Sequence, residues 1–369
     1  MTGVSPNRRA RHRRAARFTP VRVSSRLSGL VGRAPAPDGP PELTAPELRT
    51  RLRRARARAR RLQAELTDLK ARYDGPSHQA QLTAAWREWR HVRTAGGVEE
   101  GRQFDNKLVS YAFAQSHGVA FPALHGRWES LDDIDPVALA AAPESSFLKA
   151  AHGAAALGVV ATDDAAEIAS ALSRWRTLAR PTELRLDPPV IAPPYFTEER
   201  LRPEGELLLD IKVFAFYGEV AQVLLLAVPD YRDRSANRMR VLGPDGADLG
   251  PVVTTAPIDP DLPVPGHLAE IVDVARRLSL ALRRPFVRLD FYDTGDRALL
   301  GEITPMPGNV NRYVRAHDAF LGEHWERARG RMRADVAAGL DPRVVWGPGP
   351  RELVFRDASP WWPGELAHR

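Results

Sequence analysis

The 369-residue chain contains no cysteine. Disulfide frameworks, thiol catalysis and thiolate zinc sites are thereby excluded, and the composition fits the reducing cytoplasm expected for this protein. Lysine is almost as scarce. Of 53 basic residues only Lys70, Lys107, Lys149 and Lys212 are lysines, so each stands out against an arginine background. Long apolar runs are missing as well: the longest, Leu207 to Val228, is broken by Asp210, Lys212 and Glu219, and no membrane span is expected. No apolar core follows the basic start of the chain, so no secretory leader is expected either.

What is present is 43% apolar residues, enough for the cores of two or three domains. The net charge of +7 divides unevenly. Residues 1–61 hold 17 arginines against Asp38, Glu42 and Glu47, a net of +14, and the remainder holds 36 basic against 43 acidic residues, a net of −7. The basic charge belongs to the leader rather than to the folded body. Residues 1–41 have too few large apolar groups to offset ordering entropy and read as a disordered, solvated tail. Contact of that tail with nucleic acid or an anionic surface is the alternative reading.

From Thr44 to Tyr73, Ala45, Leu48, Leu52, Ala55, Ala59, Leu62, Leu66, Leu69 and Tyr73 recur at alternating spacings of three and four. That spacing predicts a heptad-patterned helix, opened by a capping box at Thr44 and Glu47 and stopped at Asp74 to Pro76. It either self-associates as a coiled coil or packs alone on the body. A second helix is expected in QLTAAWREWRHV, ending at Gly96 and Gly97, with Trp86 and Trp89 as packing groups. From Phe104 the texture is that of an α+β body, with helices expected in NKLVSYAFAQSHG, Asp164 to Ala179, GHLAEIVDVARRLSLAL and WERARGRMRADVAAGL. The Pro- and Trp-rich tail after them shows no readable chemistry.

FVRLDFYDTGDRALLGEIT, residues 286–304, is two strand-like runs around an Asp-Thr-Gly-Asp turn. Alternation puts Arg288, Asp290 and Tyr292 on one face of the first strand, Val287, Leu289 and Phe291 on the other, and Leu300, Glu302 and Thr304 together on the return strand. If the register brings both sets to one side, Asp290 and Glu302 lie opposite or diagonal and share a cation, for which magnesium is the natural candidate. A one-residue slip would separate them, leaving a solvated face with Arg288 pairing Asp290. Lys149 ends the run SSFLK before the small-residue loop AAHGAAALG, where backbone amides approach phosphate closely and an ammonium can serve several oxygens. Lys107 and Lys212 invite the same reading.

LLLDIKVFAFYGEV followed by FVRLDFYDTGDRALLGEITPMPG resembles the ATP-grasp superfamily, in its teichuronopeptide-biosynthesis (TupA-like) branch; FDNKLVSYAFAQSHGVAFP and ESSFLKAAHG stand in that family's order from Phe104 to Leu321. The resemblance implies an ATP-grasp fold, two α+β lobes clasping a nucleotide, which the long helix read from the heptad spacing precedes. Together with the charge and spacing patterns, which alone supply the first two segments, it divides the chain into a leader at 1–41, the heptad helix at 42–76, a helical segment at 77–120, lobe 1 at 121–205, lobe 2 with the metal site at 206–330, and a C-terminal helix and tail at 331–369. It further implies ATP and Mg2+ as cofactors. Lys107 and Lys149, with His152 and Gly153 of the adjoining loop, would meet the phosphates. Glu198 and Glu199 would hold adenine and ribose, Lys212 and Arg288 would face the reacting phosphoryl group, and Asp290, Glu302 and Thr304 would hold magnesium. Arg234, Asn237 and Arg238 would anchor the acyl phosphate, and PMPGN would form the closing turn. The sequence departs from the pattern in having Thr304 where many relatives have asparagine, and few glycines and serines after Lys149. The implied activity is an ADP-forming ligase joining a carboxylate to an amine, on a surface-polymer or peptide precursor; a phosphotransferase acting on a hydroxyl and a non-catalytic nucleotide-binding scaffold are the rivals.

Overall fold

The computed structural model describes residues 45–73, 75–95, 100–153, 157–178, 191–201, 208–228, 236–308 and 312–363. The expected leader, Thr44 of the capping box, Gly96 and Gly97, most of the loop after Gly153, and Arg234 lie outside them. The chain divides at residue 62 into two units, and the cut falls inside a single helix, α1 (Ala45–Tyr73). Leu48, Leu52, Leu62 and Leu66 on that helix are exposed. No helix among the described residues is long and apolar enough to cross a membrane.

In the body, α2 (His78–Thr94) leads to α3 (Lys107–Ser116). The side chain of Asn106 caps α3 by accepting from the amides of Leu108 and Val109, and the helix is buried almost all round. Four antiparallel strands follow: β1 (Leu124–Trp128), β2 (Ser146–His152), β3 (Val159–Ala161) and β4 (Ala192–Glu199), in the order β1-β4-β2-β3. The short α4 (Pro136–Ala140) and α5 (Ala165–Leu178) cover one face, where Ile168, Leu172 and Trp175 meet Leu148 and Tyr195.

The second sheet has five antiparallel strands: β5 (Leu209–Phe216), β6 (Glu219–Ala227), β7 (Arg238–Leu242), β8 (Val287–Asp293) and β9 (Ala298–Thr304), ordered β7-β6-β5-β8-β9. Ile211, Val213, Val223, Leu225, Leu289 and Phe291 point to one core, shared with Ile271, Ala275 and Leu278 of α6 (Leu268–Ala281), whose apolar residues recur at helical spacing. Phe214, Phe216, Leu224 and Val241 face the other way, toward Leu82 of α2 and Leu321 and Trp325 of α7 (Arg315–Ala337). There α2 begins against α7: a side chain at Gly322 would place its Cβ 2.3 Å from the Ser77 amide nitrogen. Asp318 of α7 accepts from the Ser77 hydroxyl at 2.6 Å and the Gln79 amide at 3.0 Å, satisfying donors at the start of α2.

Two expectations need correction. α7 begins at Arg315, ten residues before the expected Trp325, because its buried stripe through His317, Asp318, Leu321 and Gly322 is too polar to read as apolar periodicity. The C-terminal tail is also more than a trailer: β10 (Leu353–Phe355) pairs with β11 (Ala358–Trp361), and Leu353, Phe355 and Trp361 are buried in the main core.

Candidate active site

The hairpin of β8 and β9 sets the geometry. Asp290 stands directly across from Glu302, and Arg288 across from Thr304. On the opposite edge of β8, Asp290 also faces Lys212 of β5. Paired residues of antiparallel strands share a face, so these five side chains lie on one side of the sheet, and the separated arrangement considered above does not occur. The expected faces of β8 are as read: Val287, Leu289 and Phe291 enter the core. On β9 the expectation fails for Leu300. A β-bulge at Gly301 shifts the ladder between Asp290 and Phe291, so Leu300 pairs with Phe291 and enters the core while Glu302 stays with Asp290. Glycine fits there because the Tyr292 ring lies on it; a Cβ at position 301 would sit 2.6 Å from Tyr292 Cε2.

The charges interlock. Lys212 Nζ donates to Asp210 Oδ2 at 2.6 Å and to Asp290 Oδ2 at 2.8 Å. Arg288 grips the same aspartate through Nε to Oδ1 at 2.6 Å and a terminal nitrogen to Oδ2 at 2.7 Å, and donates to the Thr304 hydroxyl at 3.1 Å. Burial pushes the Asp290 carboxyl up, but Arg288 and Lys212 outweigh it and hold Asp290 below the usual carboxylate range. Asp210 ends on the other side of its ordinary value: burial raises it, Lys212 opposes and Asp290 repels. Burial lowers Lys212, yet Asp210 and Asp290 together raise it. Asp210 Oδ1 is buried without a hydrogen-bond partner.

Lys107, the first residue of α3, donates to the Gly153 carbonyl at 2.9 Å and lies 4.0 Å from Glu302 Oε1. His152 meets the Asn106 amide at 3.2 Å; burial first, then Lys107 and Arg102, lower its pKa below the ordinary imidazole value. Lys149 is buried in a close ion pair with Glu198, whose second oxygen accepts from the Tyr111 hydroxyl at 2.8 Å. Burial, followed by Glu198, holds Tyr111 well above its ordinary range.

Lys107, Lys212, Arg288, Asp290, Glu302 and Thr304 are thus gathered, with His152 and Gly153 beside Lys107, and Lys149 with Glu198 in the adjoining sheet. Two candidates are not. Glu199 leaves β4 on the pleat opposite to Glu198, bonds the Ala123 amide at 3.2 Å and pairs with Arg297 at 3.1 Å. It lines a different cavity of about 360 Å3, with His125, Glu144 and Arg356. Adjacent strand residues cannot serve one ligand from one face, which corrects the joint placement of Glu198 and Glu199. Arg238 also needs correction: it opens β7 across from Ala227, whose side chain belongs to the α6 core, and pairs with Asp259 at 2.8 Å. It is on the far face from Lys212, because alternation along β7 sends Arg238 and Val241 opposite ways.

Sequence reasoning missed Asp105. It precedes the α3 cap and pairs with Arg102; burial raises its carboxyl to about 6, with Arg102 opposing, Glu302 reinforcing and Lys107 opposing. Its position two residues before Lys107 was the available signal. Asp210 was visible as the acid two residues before Lys212 but had no assigned role.

The family model described as TupA-like ATPgrasp matches residues 86–326, more than half of the chain. No curated protein matches. Solved structures similar to this chain include the D-alanyl-alanine synthetase A from Vibrio cholerae O1 biovar eltor str. N16961, at 15% identity and TM-score 0.41, covering 62% of this chain and 66% of that one. The D-alanine–D-alanine ligase from Bacillus anthracis complexed with ATP is 13% identical at TM-score 0.41, covering 66% and 75%. ATP-grasp ligase PsnB complexed with a phosphomimetic variant of minimal precursor, Mg and ADP is 14% identical at TM-score 0.35, covering 71% and 73%. This chain thus spans just under two thirds of the V. cholerae protein. On the family match over residues 86–326, the chain belongs to the TupA-like ATP-grasp family.

Proposed function

We propose that the protein is an ATP- and magnesium-dependent ligase that joins a carboxylate to an amine through an acyl phosphate, with a surface-polymer or peptide precursor as substrate class. The observation that carries this reading is the direct opposition of Asp290 and Glu302, with Lys212 and Arg288 bound to the first and Lys107 4.0 Å from the second. In the reaction, a carboxylate oxygen attacks the γ-phosphorus of ATP and ADP leaves. The amine then attacks the acyl carbon, expels phosphate, and gives up a proton to complete the amide.

The donor set suits magnesium, which takes one or two carboxylates alongside phosphate oxygens. Among the described residues Asp290 accepts three hydrogen bonds and so keeps one of its roughly four lone-pair positions, and Glu302 is met by Lys107 at 4.0 Å. Asp290, Glu302 and the Thr304 hydroxyl would hold the ion, which when bound neutralises charge on the triphosphate. Lys107 and Lys149 would bind phosphate oxygens, and Glu198 would meet the adenine or ribose. Lys212 and Arg288 would stabilise charge on the transferring phosphoryl group, so that catalysis rests on positioned charge rather than on a side-chain nucleophile. Glu199 and Arg238 are given no part.

The test is Glu302→Gln. ADP formation that requires both an acid and an amine should disappear, and full activity in that variant would overturn the site. Phosphate released in step with ADP indicates the ligase; phosphate retained on the product indicates transfer to a hydroxyl instead.

A further inference from the structure

Over its first two heptads the exposed seam of α1 is flanked by charge of one sign. With Ala45 at heptad position a, Leu48, Leu52, Ala55, Ala59, Leu62 and Leu66 fall at successive a and d positions. The four leucines among them are 44–54% exposed. The flanking e and g positions are Arg49, Arg51, Arg56 and Arg58, and only then Gln63 and Glu65. Residues at e and g lie against the neighbouring helix of a coiled coil and decide which partner is accepted.

Self-pairing meets repulsion in either direction. A parallel pair sets Arg51 of each copy against Arg56 of the other, while Arg58 meets the uncharged Gln63 and gains nothing. An antiparallel pair matches e with e and g with g; laying the seam from Leu48 to Leu66 on its own copy sets Arg56 against Arg56 and Arg58 against Arg58, with Arg51 against Glu65 the one attraction. A bilayer is a poor fit for a different reason. The stripe is confined to a and d, narrower than the apolar face of an interfacial helix, and Ala55 and Ala59 at its middle give lipid little to bury. The same alanines allow a second helix to approach closely.

We propose that α1 is one strand of a heterotypic coiled coil, and that its partner is a helix of another chain with an apolar a/d seam and acidic residues at its e and g positions. The arginines then supply attraction where self-pairing supplies repulsion, and the leucines supply burial.

The full chain is titrated with a fluorescent four-heptad synthetic helix carrying leucine and alanine at a and d and glutamate at e and g, and binding is read by anisotropy. Saturable binding is expected. Lysine in place of the glutamates, serine in place of the peptide's a and d residues, and the double variant Leu52→Asp, Leu62→Asp in the chain should each weaken it at least ~50-fold. Unchanged thermal melting of the double variant checks that the body is intact. If the serine-seam peptide binds as tightly as its parent, the attraction is bulk charge and the proposal falls. It falls equally if sedimentation equilibrium finds a dimer of the chain that the double variant dissociates, or if phosphatidylserine vesicles bind the chain through those leucines while the glutamate peptide does not.

Discussion

Replacing Lys212 by methionine removes an ammonium that lies 2.6 Å from Asp210 and 2.8 Å from Asp290, with its side chain only 15% exposed. At an effective dielectric near 20, each contact is worth roughly 6 kcal/mol of gross Coulomb attraction. Desolvation cancels much of that, and deleting one partner of a buried ion pair costs about 3–5 kcal/mol in practice. Asp290 keeps Arg288, whereas Asp210 loses its hydrogen bond to Lys212 and already has an unpartnered second oxygen. Asp210 should respond by holding its proton more tightly. A carboxyl whose pKa is raised in the folded state stabilises the fold below its unfolded pKa, and that stability is lost as pH rises through the folded pKa. The deficit of Lys212→Met should therefore be about 3–5 kcal/mol at neutral pH and shrink toward acid. Urea unfolding followed by tryptophan fluorescence at pH 7.5 and pH 4.5 measures it. A deficit below about 1 kcal/mol at neutral pH, or one equal at the two pH values, would show that the ammonium does not hold the two aspartates together.

Three further outcomes follow from the same geometry. Gly301→Ala drives a Cβ to 2.6 Å from the Tyr292 ring and should cost about 1–3 kcal/mol, most of it recovered by adding Tyr292→Leu; thermal melts of the single and double variants decide this. Asp105, raised from 3.8 to about 6 chiefly by burial, makes the fold less stable as pH climbs through that interval, so Asp105→Asn should gain up to about 3 kcal/mol over the parent by pH 7 and nothing near pH 3.5, as read by urea unfolding at each pH. Trp361→Ala empties a core position that is 1% exposed and should cost about 3–5 kcal/mol; a loss under about 1 kcal/mol would mean that the C-terminal hairpin is not part of the core.

The faces of β8 were legible because period-two alternation is a local property of seven residues, and it put Arg288 and Asp290 together, away from Leu289 and Phe291. The bulge was not, since one inserted residue leaves no trace in the alternation; Gly301 was a hint only in hindsight of the ring above it. Glu198 and Glu199 read as one motif in sequence, but a strand sends neighbours to opposite faces, and recognising this needed the certainty that both lie within β4. Arg238 failed for the same cause. The role of Asp210 was out of reach, because its partnership with Lys212 matters only once Asp290, 78 positions beyond Lys212, closes the triad. Trp361 and Phe355 looked like a tail because three- and four-residue strands are shorter than any periodicity can register.

The scarcity of lysine can now be given a physical reason at position 212. An ammonium has three donors on a freely turning head, and two of them reach separate carboxylates here, leaving one for a third acceptor. A guanidinium presents a planar fork that favours one bidentate partner, which is the arrangement Arg288 adopts on Asp290. Arg288 uses three of its five N–H groups on Asp290 and Thr304, so it too retains donors on its remaining nitrogen. Among the described residues the two cations are therefore fixed by the protein and still unsaturated toward an incoming oxyanion. Their orientation is set before any ligand binds, and a phosphoryl oxygen arriving beside Asp290 would meet donors that need little reorganisation to receive it.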